Sequence, residues 1–537
     1  MLKRPRDSAY RQKFLQVQGF HAKGWVWRQQ SYILRKNKVR ADKLNIEKSI
    51  GKNMLFNFLK VFSSTIFPMA TFTYSARILG VAAVGEVSFV RCVISWFCVA
   101  AMLGVGYYGR REAARLRDDK IALSRFVHEM LFINAGAVLL SYVVLLLLLC
   151  TIERFWQCRE LLLIHSVLIV LMGMGMEWLY QALEEYQYIA VRTVLFQVIS
   201  LLLMLLLVKD ADDVAAYAVI LVIASSGSYL LNFLNCRNYI SFSWYGQYEF
   251  RKHLRPVFTL LALALSAQFY TVLDSVMLGF FKGNISVGIY TAASKTVGMT
   301  SALINALTAV MIPRLSYYMG KSKLREVKML MNQSIHFMFM FAIPAMLGLF
   351  VLSDEIILLF SGNGFGGAEI TMRWLIPVVV ASSFSYVAGE QLVSLGREQM
   401  VLLAGVAGAV TNVICNAILI TGFAHHGAAV ASVLAESVVA LVSFFHIKDF
   451  IDKKSVIRIC GQFLVASLPI ILIRMFIKAT GFYYIWQVLF TIVLSGILYF
   501  SCLLLMKNEC ARITVQTVRD GLQKFLKKRW IQKRTKQ

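Results

Sequence analysis

Four ionisable residues, Arg91, Asp274, Lys295 and Glu436, lie inside long apolar stretches of the chain. A charge in hydrocarbon is costly unless it faces a cavity or a partner. Arg91 and Lys295 are therefore expected to line a polar cavity and to hold an anion by charge and hydrogen bonding. Asp274 and Glu436 are expected to balance charge, Asp274 against Lys295, or to take part in ion coupling. The alternative for all four is a structural ion pair between neighbouring helices. Arg77 stands at a helix end, where it either joins the cavity or reaches the headgroups. Asn412 and Asn416 share one helix face at i, i+4, so they either line the cavity or hydrogen-bond between helices. None of this chemistry breaks a bond. The sequence has no Walker A motif, GxSxG elbow or HExxH, and its nine cysteines show neither CxxC nor zinc-like spacing. No catalytic residue, cofactor or metal site is expected.

The elements that must position these groups follow from composition. The chain has 537 residues, 58% hydrophobic and 16% charged, with a mean hydropathy of +0.64. Its apolar residues come in blocks of about 20, the length needed to cross a hydrocarbon core of about 30 Å. Only helices and closed barrels satisfy their backbone in lipid. The run Ala137 to Cys150 does not alternate as a barrel strand would. The expected class is an all-α integral membrane protein. Glu177 and Glu390 fall near span ends, where a carboxylate reaches water, Arg474 lies near another end, and Pro68 and Pro344 mark bends.

Fourteen spans are expected, near 54–78, 82–106, 127–150, 160–181, 187–208, 213–236, 256–281, 285–312, 333–353, 370–394, 398–421, 426–447, 458–478 and 482–506. With the first residues on the cytoplasmic side, 21 basic residues fall in cytoplasmic connections against 7 on the opposite side. That bias predicts both termini inside. The net charge of +27 resides in tails and loops beside the spans, which points to anionic headgroups and not to nucleic acid. Residues 1–53 read as a basic cytoplasmic tail, or as sequence upstream of a start near Met54. Residues 507–537 read as a basic tail whose Val515, Val518, Leu522 and Phe525 recur at helical spacing, lying on the cytoplasmic leaflet.

A weak repeat divides the chain. Leu79-Gly80 leads into Val84-Gly85, and Leu278-Gly279 leads through a polar turn into Val287-Gly288. The expected units are a six-helix lobe over 54–240, a matching lobe over 241–450 and two added helices over 451–506. Four places in this frame carry a resemblance: Pro68–Gly85, Gly104–Ala114, Asp274–Ser316 (LDSVMLG, VGIYTAASK, IPRLS) and Thr411–Glu436. Through them the chain resembles the Wzx-type polysaccharide flippases of the multidrug/oligosaccharidyl-lipid/polysaccharide exporter superfamily. The long basic N-terminus departs from that pattern.

The resemblance implies a two-lobed alternating-access transporter of the bacterial inner membrane. Its cargo would be an undecaprenyl-diphosphate-linked repeat unit for O-antigen, capsule or exopolysaccharide. Membrane lipids, a polysaccharide polymerase and glycosyltransferases are the partners it implies. The rivals are a cation-coupled small-molecule exporter of the same superfamily and a peptidoglycan lipid flippase. A polymerase or ligase would carry a large outer loop, whereas the longest outer connection expected is Asp354 to Glu369.

Overall fold

The computed structural model describes residues 60, 63–246, 248–308, 315, 317–319, 321, 323–512 and 514–516, with backbone alone at 263, 266, 267, 269 and 270. Residues 1–53, most of 507–537 and all of IPRLS except Leu315 lie outside them. Among the described residues every regular element is helical. The main ones in the first half are α1 (63–102), α2 (Val105–Leu116), α3 (Lys120–Thr151), α4 (Arg159–Gly173), α5 (Tyr186–Leu207) and α6 (Val214–Val222). The second half holds α7 (Phe250–Phe281), α8 (Gly283–Thr308), α9 (Leu324–Val351), α10 (Val378–Ser394) and α11 (Glu398–Ile447). It ends with α12 (Lys453–Ser467), α13 (Pro469–Ala479) and α14 (Tyr484–Leu505).

Ten helical segments among the described residues are long and apolar enough to cross a membrane. Two of them, Ser63–Leu116 and Glu398–Ile447, have 54 and 50 residues. A straight helix of that length would run more than twice the roughly 30 Å hydrocarbon core. Both fold back instead, at Gly80 with φ 77° and at Ala424 with φ 49° and ψ −128°. A third reversal joins α7 to α8 at Gly283, φ 77°. Lys282 Nζ donates to the Thr421 carbonyl at 2.7 Å, so the second and third reversals meet at one end of the molecule, here the hairpin end.

The first and third reversals cross there through a reciprocal glycine contact. A Cβ on Gly85 would lie 1.9 Å from the Asn284 carbonyl oxygen, and one on Gly288 would lie 2.1 Å from that of Val81. Only glycine lets two helix backbones approach so closely. Gly80 and Gly283 each stand five residues before these crossing glycines. The two glycine pairs thus share one spacing, with the second shifted from the expected alignment. The turn glycine of that pair is Gly283, and Gly279 instead receives the Phe89 ring, 2.1 Å from where its Cβ would be. Asn284 completes the contact by donating to Glu86 at 3.3 Å and accepting from Arg154.

At the other end the halves are tied through α7. Tyr108 Oη and His253 Nδ1 are 2.7 Å apart, and His253 Nε2 lies 2.8 Å from the Glu129 carboxylate. All three side chains are buried among Phe126, Trp178 and Val257. Helix starts are fixed by side chains where they leave the apolar layer. Asp119 accepts from the N–H groups of Ile121 and Ala122, and Asp452 from those of Lys454 and Ser455. In the connection before α6, the N–H groups of Lys209 and Asp210 donate to Asp213 at 2.8 and 3.0 Å, holding its carboxyl below the usual range. A large core runs from Phe72 and Phe89 to Phe365 and Ala428, and a smaller one seats α12 and α14 against α9 through Phe463, Tyr499 and Met340.

Candidate functional site

A cavity of about 280 Å³ lies among α1, α5, α6 and α8. At 1.5 Å per residue, Arg91 sits about 16 Å along α1 from Gly80, and Lys295 about 18 Å along α8 from Gly283. Both line the cavity, near mid-depth. Neither forms an ion pair among the described residues. Lys295 Nζ instead lies 4.1 Å from the centroid of the Phe72 ring. A ring face steadies an ammonium without neutralising it. Both groups therefore remain available to an anion.

From this apex the cavity extends to Lys60, whose side chain is 26% exposed. There Glu177 lies between two cations, 2.6 Å from Lys60 Nζ and 2.9 Å from Arg192 Nη2. Arg192 also donates to Ser228 Oγ at 2.5 Å and lies over the rings of Tyr188 and Tyr229. Glu177 is thus not a carboxylate merely reaching water. It is the acid that holds a buried guanidinium, and its cationic partners, 117 and 15 residues away in sequence, give no signal at that position. Next to this cluster the helix after α6 makes a π-turn over Ile223–Gly227. The wider turn presents Ala224, Ser225 and Ser228 to the cavity together.

The other expected site residues lie elsewhere. Arg77 is exposed at the hairpin end, where it donates to the Leu359 carbonyl at 2.7 Å. Asn412 and Asn416 are buried between helices and donate to Asp274 Oδ1 at 2.9 and 2.6 Å. Tyr290 and Ser432 hydroxyls donate to Asp274 Oδ2, each at 2.6 Å. Asp274 is thus held by four neutral donors and not by Lys295, with which it forms no ion pair. Ionised carboxylates are stabilised by such donors even when buried. This second polar centre joins α7, α8 and both arms of α11. Glu436 lies one turn further along α11, half-buried. Arg474 pairs with Glu355 and Gln487, bracing α13.

A cavity near mid-depth whose Arg91 and Lys295 form no ion pair among the described residues, and which extends to a partly exposed Lys60, is an arrangement that suits a membrane transporter. The chain belongs to the polysaccharide biosynthesis protein family, whose sequence model matches residues 50–319, and the MatE model matches residues 260–418. It is 27% identical over 205 residues to a protein of Haloferax volcanii named as a probable low-salt glycan biosynthesis flippase, covering 38% of this chain but only 43% of that one. Over 351 residues it is 20% identical to a protein of Escherichia coli K12 named as an O-antigen transporter, covering 64% of this chain and 83% of the relative. Among solved structures, the lipid II flippase MurJ in an inward closed conformation aligns with a TM-score of 0.68 at 15% identity, covering 83% of this chain and 98% of that one. That likeness shows a shared fold.

Proposed function

We propose that this protein flips a polyprenyl-diphosphate-linked oligosaccharide, of the undecaprenyl class, across the cytoplasmic membrane for surface-polysaccharide synthesis. One observation carries the reading: Arg91 and Lys295, with no ion pair among the described residues, line one polar cavity in a member of the polysaccharide biosynthesis family. Their charges would repel a cationic drug, so they favour an anionic cargo over the small-molecule substrates of related exporters. The names of the Haloferax and Escherichia relatives agree with a glycan-bearing cargo.

In this reading the ten apolar segments, broken at Gly80 and Ala424 and joined by α7 and α8, make fourteen spans in two six-helix lobes with two added helices. In the same reading the Lys60 end of the cavity and both termini lie on the cytoplasmic side, which the charge bias of the loops supports. The cargo's diphosphate enters past the Lys60–Glu177–Arg192 cluster and settles on Arg91 and Lys295 while its lipid tail stays in the bilayer. The hairpin end then parts and the cytoplasmic end closes. The Asp274 centre, with Glu436 nearby, is the proposed coupling element. A proton or cation arriving at Asp274 would reorder four hydrogen bonds that tie α7, α8 and α11 together. Deletion of the gene should make lipid-linked oligosaccharide accumulate inside the cell and remove it from the surface. Unchanged pools together with altered drug susceptibility would overturn the proposal.

A further inference from the structure

The α5 wall of the cavity is chemically one-sided. Thr193, Gln197 and Ser200 line it at i, i+4 and i+7, a polar stripe about 10 Å long. The Thr193 hydroxyl donates to the Ile189 carbonyl at 2.8 Å, and the Ser200 hydroxyl to the Phe196 carbonyl at 2.7 Å. A hydroxyl has a single hydrogen, so each now offers the cavity lone pairs only. Between them Gln197 is 7% exposed, and its Oε1 is buried without a hydrogen-bond partner among the described residues. The rings of Tyr217 and Tyr229 line the same chamber.

A buried acceptor that stays unsatisfied is costly, so this stripe is built for a ligand that brings donors. Of the three parts of the proposed cargo, the isoprenoid has no donor and the ionised diphosphate has only acceptors. The glycan has both hydroxyl and amide N–H groups. We propose that the α5 stripe, centred on Gln197, is the sugar-recognition surface, reading donor groups of the glycan while Arg91 and Lys295 hold the diphosphate. This assignment rests on the flippase reading above and makes Gln197 a specificity-determining residue.

Binding of two probes to the purified full-length protein tests it. One is farnesyl diphosphate, and the other is the same molecule extended by N-acetylglucosamine. The wild type should bind the glycosylated probe about tenfold more tightly, the value of roughly one well-placed hydrogen bond. Gln197→Leu should bring that ratio near one and leave the farnesyl diphosphate Kd within about twofold. Ser200→Ala and Thr193→Val should reduce the ratio partially, which covers the case of a Gln197→Leu protein that fails to fold. Arg91→Ala should weaken both probes. A Gln197→Leu protein of normal melting behaviour that keeps the wild-type ratio, or weakens both probes equally, would overturn the sugar-reading role alone. A wild type that binds both probes equally would do the same. A wild type that binds neither would overturn the flippase reading and this assignment with it.

Discussion

Replacing Gly85 or Gly288 by alanine should force the hairpin end of the protein open. The new methyl would lie 1.9 Å from the Asn284 oxygen in one case and 2.1 Å from the Val81 oxygen in the other, against 3.4 Å or more for an ordinary contact. The shortfall is roughly 1.5 Å in the first case, and the obstructing atoms are helix backbone, which cannot rotate away as a side chain can. Overpacking of this kind costs about 1–3 kcal/mol. The cost falls only on the conformation in which α1 and α8 cross, so the population should move toward the opened state by about 5–150-fold. The assay is thiol labelling of a Phe365→Cys reporter in a background lacking the nine native cysteines. Phe365 is 1% exposed and packs edge-on against Phe72, 6.5 Å between centroids, beneath the hairpin end. A membrane-impermeant maleimide applied to whole cells should label the reporter thiol at least about fivefold faster in either alanine variant. Equal labelling of parent and both variants, at matched membrane levels, would refute the idea that this crossing holds the end shut. An effect in only one variant would refute the reciprocity.

Arg91→Ala and Lys295→Ala should each abolish surface-polysaccharide export while membrane levels stay normal, as scored by glycan immunoblot. Asp274→Asn should keep the fold, because an amide still accepts hydrogen bonds, yet uncouple flipping from an imposed ion gradient in vesicles. Asp274→Leu should also lower the detergent melting temperature, since it removes the buried acceptor shared by Asn412, Asn416, Tyr290 and Ser432. Glu177→Gln should destabilise the protein by about 3–5 kcal/mol, because Arg192 is left buried without its carboxylate. Glu177→Gln combined with Arg192→Gln should recover much of that loss, as read by thermal unfolding.

Much of the architecture is legible in the sequence because lipid imposes simple rules. Span length and the scarcity of intramembrane charges are local properties, and they single out Arg91 and Lys295, which line one cavity, before any contact is visible. What escapes is pairing. Asn412 and Asn416 do share a face, but a face does not say what it meets, and it meets Asp274. The charges alone pair Asp274 with Lys295, yet four neutral donors satisfy it. Glu177 looks solvated because its cationic partners, Lys60 and Arg192, are 117 and 15 residues away in sequence. The repeat misaligns because Leu-Gly recurs at 278–279, while the backbone turn that needs positive φ is four residues on, at Gly283. Gln197 carries no signal at all, since an isolated glutamine in an apolar span becomes informative only when its neighbours' hydroxyls are seen to be spent on their own helix.

The most direct test of the central claim is reconstitution. Purified protein in liposomes should move a fluorescent polyprenyl-diphosphate-linked oligosaccharide between leaflets, as followed by membrane-impermeant quenching of the probe. The account predicts rapid loss of the protected half of the signal with the wild type and protein-free background rates with the Arg91→Ala, Lys295→Ala double variant. Equal rates for wild type and double variant, or no movement by a correctly folded wild type under any imposed ion gradient, would contradict it.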